Sequence, residues 1–111
     1  MDNYKGYDYF VKKIIEDIEF ILDNTKDLSC EDFEEDIFLN NTVCFRFIQI
    51  SENAKKIPNS ICINYPNIPW NKISGLRNRI VHDYGNIMLD IVFNTIVEDL
   101  PKLLFELKKI V

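Results

Sequence analysis

Tyr7, Val11, Ile14, Ile18 and Ile21 recur at steps of four, three, four and three, the spacing of one face of an α-helix. Phe10, Ile15 and Leu22 widen that stripe. Isoleucine is abundant and Ala54 is the only alanine, so residue propensities taken alone lean toward strand. Periodicity outweighs them, because β-branched residues cost a helix only about a few tenths of a kcal/mol each. The spacing predicts a first helix over about 4–24. No segment shows the period-two alternation of a half-buried strand, and no internal repeat is present.

Ser29 can cap a second helix, with Asp32 placing negative charge in its first turn. The stripe Phe33, Ile37, Cys44, Phe47, Ile48 and Ser51 carries this helix to about Lys56, and Pro58 ends it. Asn40 and Asn41 interrupt its apolar face, as either a polar contact or an exposed edge. Pro58, Pro66 and Pro69 make residues 57–69 an irregular connection with room for one short helical turn. Pro69 fits the start of a third helix, whose ridge Trp70, Ile73, Leu76 and Ile80 runs to about His82. Gly85 and Asn86 break it. Leu89, Val92, Phe93, Ile96, Leu100, Leu103, Leu104 and Leu107 stripe a fourth helix over about 87–110. Pro101 inside it removes a main-chain donor and should kink or break it. The fold class expected is all-α: a single domain over 1–111, a small four-helix bundle kinked at Pro101, with no sheet.

The 111 residues carry a formal net charge of −5, which argues against a simple basic nucleic-acid binder. That charge is segregated. Residues 1–36 hold twelve acids and four bases, whereas residues 37–82 hold only Glu52 against Arg46, Lys55, Lys56, Lys72, Arg77 and Arg79. Fields add locally and are screened within about 8–10 Å, so a positive segment inside an acidic chain can still attract phosphate. A solvated basic face is the plainer account. Cys30, Cys44 and Cys62 are odd in number, form no C-x-x-C pair, and read as reduced thiols of a cytoplasmic protein. No signal-peptide layout and no apolar run near the roughly 18 residues of a membrane span is present. His82 is the only histidine, which excludes a His-rich metal site within one chain.

Chemistry-bearing residues concentrate in Arg77-Asn78-Arg79-Ile80-Val81-His82-Asp83-Tyr84. On a straight helix Asn78 and His82 would share a face, while Arg77 and His82 would diverge by about 140°. Convergence on one phosphate therefore requires that the helix unwind near Val81 or that two chains build the site. A histidine titrating near neutrality can exchange protons with a ribose 2′-hydroxyl or a leaving oxygen, and an arginine can hold phosphate and its developing charge. A helix-end histidine bonded to backbone beside surface arginines would show the same residues. Arg79 can equally cover the surface, and Trp70 can anchor a core or dimer contact as well as stack on a base.

These eight residues fit the pattern R-N-x-x-x-H-x-Y in full, and through it the chain resembles the HepT-like branch of the HEPN superfamily. Tyr65 to Leu76 is similar to the stretch leading into that motif. Glu98-Asp99-Leu100-Pro101 is similar to the family's late-helix signature, and Ile50 to Ala54 to its helix-two ending. Ser51 departs from the family, which commonly has glycine there; the difference bears on helix packing more than on chemistry.

The resemblance implies an all-helical toxin of a toxin–antitoxin pair, acting as a metal-independent endoribonuclease on RNA, with tRNA as one candidate. It implies a homodimer whose motifs face one another across a cleft, and no cofactor. His82 would be the general acid/base, Arg77 the transition-state stabiliser and Asn78 a positioning group. Outside that carry-over, the basic residues Lys72 and Arg79 are candidate RNA contacts by their charge. The partner antitoxin would be a minimal nucleotidyltransferase (MNT-type) that adenylylates Tyr84, filling the cleft and adding negative charge there. Two other functions fit the residues: a non-catalytic nucleotide- or substrate-binding partner of a nucleotidyltransferase, or a structural helical dimer.

Overall fold

Each of the four expected helices forms, and three of them are interrupted once, at a residue whose chemistry accounts for the break. The computed structural model describes residues 6–82 and 86–111. Helix α1 spans Tyr7–Thr25. The second expected helix is split into α2, Cys30–Glu35, and α3, Ile37–Ala54. The proline-rich connection holds one short helix, α4, Asn59–Asn64. The third is split into α5, Trp70–Ser74, and α6, Leu76–Ile80. The fourth is split into α7, Leu89–Glu98, and α8, Leu100–Leu107.

Ser29 and Asp32 form a complete capping box on α2. The Asp32 amide donates to Ser29 Oγ at 3.0 Å, and the Ser29 amide donates to the Asp32 carboxylate at 3.2 Å. The break that follows is stitched from both sides. Asp36 leaves the helical region (φ −90°, ψ 89°), and its carboxylate accepts from the Leu39 amide at 3.0 Å, capping α3. Asn40 is buried, and its Nδ2 donates to the carbonyls of Phe33 and Glu34 at 3.1 and 3.2 Å, which ends α2. Asn40 is thus a polar contact and Asn41 an exposed edge. Ile37, expected in the stripe, is the first residue of α3 and is 66% exposed, whereas Cys44, Phe47 and Ser51 farther along that helix are buried.

Gly75 separates α5 from α6. A Cβ there would approach the Asn71 carbonyl oxygen to 3.3 Å. Ser51, fully buried on α3, donates from Oγ to the Ser74 carbonyl at 2.6 Å. At the third break, the expected kink is an interruption at Asp99 that places Pro101 in the first turn of α8, where its missing N–H costs no bond.

Val11, Ile14, Ile18 and Ile21 of α1 are buried against a core completed by Phe33, Phe47, Ile50, Leu100 and Leu107. Helix α1 packs on α3 and α8, α2 on α7, and α3 on both α5 and α6. Extended pairing among the described residues amounts to one two-residue antiparallel ladder, β1 (Val81–His82) with β2 (Asn86–Ile87). It is too short to bury a face, so the class is all-α. No helix among the described residues is long and apolar enough to cross a membrane.

The opposed charges of the first and middle segments meet in this packing. Arg46 donates to Asp17 Oδ1 at 2.8 Å and lies over the Phe20 ring at 3.9 Å from its centroid. Burial pushes the Asp17 carboxyl above its ordinary value despite the opposing pull of Arg46. Lys108 pairs with Glu19 at 3.1 Å, tying α8 to α1 across solvent.

Candidate functional site

Helix α6 is one turn and a half long, and its two ends are its anchors. Leu76 and Ile80, four apart, are buried, so the three residues between them, Arg77, Asn78 and Arg79, are all exposed. The turn is fixed by its neighbours: α6 packs on α3 and α7, and the Ser51 hydroxyl holds the carbonyl just before it. Sequence thereby dictates presentation. Apolar residues at the two ends of so short a helix drive the polar triplet to solvent.

The helix ends at Ile80, and Val81 and His82 enter the ladder, with Val81 opposite Ile87 and His82 opposite Asn86. Of the two arrangements open from sequence, unwinding near Val81 is the one observed within the chain. Asn78 and His82 consequently do not share a helix face, because His82 is no longer helical. The ladder brackets residues 83–85, so Tyr84, Asp83 and Gly85 lie outside the described residues.

Of the six basic residues of the middle segment, two are engaged by acids: Arg46 by Asp17 and Lys55 by Glu52 at 3.5 Å. Lys56 lies 5.4 Å from the centroid of the Phe10 ring. Lys72, Arg77 and Arg79 are exposed and pair with no acid among the described residues. The cationic groups without an acidic partner thus fall on α5 and α6, the two helices that precede His82 along the chain. Trp70 is half-buried against the core, and its indole N–H donates to the Tyr65 carbonyl at 3.1 Å, which makes it a packing anchor of α5.

Beside this turn runs a groove of about 230 Å³ between α5 and the α7–α8 break, with Ile73, Leu76, Leu100 and Leu103 as apolar walls. Lys72, Thr95, Asp99, Lys102 and Glu106 supply its polar atoms, together with Asn67. Past Asn67, Lys102 and Glu106 it opens into a shallower depression bordered by Phe105, which is 65% exposed. Lys72 was expected to contact RNA from its charge, and it stands on this rim. Asp99, Lys102 and Phe105 were given no role from sequence. The signal available was the Asp99-Leu100-Pro101 run, which marks a helix restart, but the partner helix across the groove is set only by packing.

The remaining reactive groups are not poised for chemistry. Burial pushes the Cys44 thiol up to about 11, and Cys30 and Cys62 are also raised, by desolvation first. No group of three or more His, Cys, Asp or Glu among the described residues is placed to hold a metal ion.

Comparison with known proteins bears on the whole of this helical frame. The family profile described as "Ribonuclease HepT-like" matches residues 14–110. A protein of Thermococcus cleftensis named "Probable ribonuclease HepT" is 30% identical over 101 residues, covering 91% of this chain and 92% of its own length. A provisionally named RNase of Caldanaerobacter subterraneus subsp. tengcongensis is 28% identical over 101 residues, 91% of this chain and 90% of its own. In Methanocaldococcus jannaschii, a protein named as both a gamma-glutamylcyclotransferase and a provisional RNase is 31% identical over 106 residues. That match takes in 96% of this chain and 48% of the longer protein. No solved structure matches.

Proposed function

Because this chain belongs to the HepT-like ribonuclease family, with the HEPN type of helical frame, we propose that it is a metal-independent endoribonuclease acting as the toxin of a toxin–antitoxin pair. The observation that carries the reading is the exposed Arg77-Asn78 pair on the short helix α6, which ends at Ile80, two residues before His82. His82 takes the proton of a ribose 2′-hydroxyl; the 2′-oxygen attacks phosphorus; the 5′-oxygen leaves and receives a proton. The products are a 2′,3′-cyclic phosphate end and a 5′-hydroxyl end. Arg77 binds the phosphate and offsets the charge that builds on its oxygens. Asn78 positions the substrate, and Lys72 and Arg79 contact RNA on either side.

The working form is a homodimer in the cytoplasm, in which a second His82 supplies the proton to the leaving oxygen. Phe38 and Phe45, seven apart on one face of α3 and 89% and 58% exposed, offer apolar area for the second protomer. Neutralisation proceeds through Tyr84. Its phenol oxygen attacks the α-phosphate of ATP on an MNT-type nucleotidyltransferase antitoxin, and pyrophosphate leaves.

The test uses unmodified protein, checked by intact mass, incubated with RNA in the presence of a chelator. Cleavage with cyclic phosphate ends, reduced at least about 100-fold in His82→Ala and in Arg77→Ala, is the expected outcome. Wild type no more active than His82→Ala refutes the enzyme and favours a nucleotide-binding partner without turnover. Co-expression with the nucleotidyltransferase should add AMP to wild type and not to Tyr84→Phe.

A further inference from the structure

The groove between α5 and the α7–α8 break is built to read the edge of one RNA base, and we propose that it is a guanine subsite flanking the scissile phosphate. The inference rests on the ribonuclease reading above and names what that site selects.

The groove volume of about 230 Å³ lies below the roughly 300–1,000 Å³ of clefts that enclose drug-sized ligands, so it suits a single planar group. Apolar side chains from α5, α6 and α8 line its walls, which suits the face of a base. Its polar wall on the α7 side accepts hydrogen bonds and does not donate them. Thr95 and Asp99 are four apart and line the groove together. The Thr95 hydroxyl already donates to the Ile91 carbonyl at 2.9 Å, which leaves only its lone pairs for a ligand. Asp99 stands at the N-cap of α8, yet its side chain makes no capping bond, and it joins no ion pair among the described residues. A carboxylate presents two acceptors side by side. Among the four RNA bases, guanine alone offers two parallel donors on its pairing edge, N1–H and the N2 amine.

The surroundings fit the rest of a nucleotide. Lys72 and Lys102 flank the pocket as phosphate partners. Glu106, the other carboxylate there, is occupied by Lys109 at 3.2 Å, so Asp99 is the acid left to read the base. Phe105, at the open end, gives a neighbouring base an aromatic surface to stack on. Leu76 belongs both to the groove and to the helix that presents Arg77. From the start of α6 to His82 the chain runs four helical steps of about 1.5 Å and two extended steps of about 3.3 Å, at most about 13 Å, the reach of a few nucleotides at about 3.4 Å each.

The experiment cleaves a randomised single-stranded RNA pool and sequences the ends, alongside kcat and KM on one guanine-containing oligonucleotide and its inosine counterpart. Wild type should enrich guanine at a fixed position within three nucleotides of the cut. Inosine at that position, which lacks the N2 amine, should raise KM. Asp99→Asn should lower the guanine preference by about 5- to 150-fold, the discrimination of a bidentate base contact. Phe105→Ala, at an exposed position, should raise KM by a similar factor with kcat and base preference unchanged. Active wild type without guanine enrichment, or an Asp99→Asn enzyme with the same base profile and KM, overturns the subsite and leaves the ribonuclease reading intact. Wild type no more active than His82→Ala is the separate failure of that reading.

Discussion

Replacing Ser51 with alanine should loosen the frame that presents Arg77, by an amount that can be worked from one contact. The Ser51 hydroxyl is fully buried and donates to the Ser74 carbonyl at 2.6 Å. Alanine removes the donor and leaves that carbonyl without its side-chain partner, a loss of about 1–2 kcal/mol, toward the low end because Ser74 is half-buried and water can reach it. Alanine also suits a helix interior better than serine by about 0.5 kcal/mol, which offsets part of the loss. The net expectation is about 0.5–1 kcal/mol, or about 2–4 °C in Tm for a domain of this size. Glycine at the same position loses the bond and adds the backbone entropy of a flexible residue. It should fall about 1 kcal/mol below alanine. Urea unfolding measures both, with the midpoint moving and the slope constant. Hydrogen exchange should localise the effect, with protection falling across residues 75–80 more than across α1. A Ser51→Ala protein as stable as wild type, with α6 equally protected, would show that the Ser74 carbonyl does not depend on this hydroxyl.

Two further outcomes test the frame. Asn40→Ala strips the Phe33 and Glu34 carbonyls of their donor and should cost about 1–3 kcal/mol in chemical denaturation; Asn40→Asp, which cannot donate there when ionised, should cost more. Burial raises the Asp17 carboxyl, so the folded chain holds that proton to a higher pH than the ordinary 3.8 of the unfolded chain. Its contribution is therefore complete below about 3.8 and is lost as pH rises through the folded value. The stability of wild type relative to Asp17→Asn should fall over that window and then level off, and a rise would mean that attraction to Arg46 outweighs desolvation.

Much of the helical frame was legible because an amphipathic stripe records burial directly. Ile14, Ile18, Phe47 and Leu107 each fell on a predicted face and each is fully buried. The helix breaks were harder. Gly75 and Asp36 look like tolerable interior residues, and only the partners of Ser51 and Asn40 show that the chain turns there. Ile37 was misplaced because it opens α3 at the break, ahead of the buried Asn40, Val43 and Cys44.

The candidate site divides along the same line. Local order along the chain determined the all-α class, the capped start at Ser29 and the placing of Arg77, Asn78 and His82 within eight residues, because periodicity, capping and motif spacing are properties of neighbours in sequence. Packing decided that Arg46 is spent on Asp17, and that Asp99 and Thr95 line a groove with Lys72. Those facts depend on residues more than twenty apart in sequence meeting in space, and no local pattern encodes which of them meet.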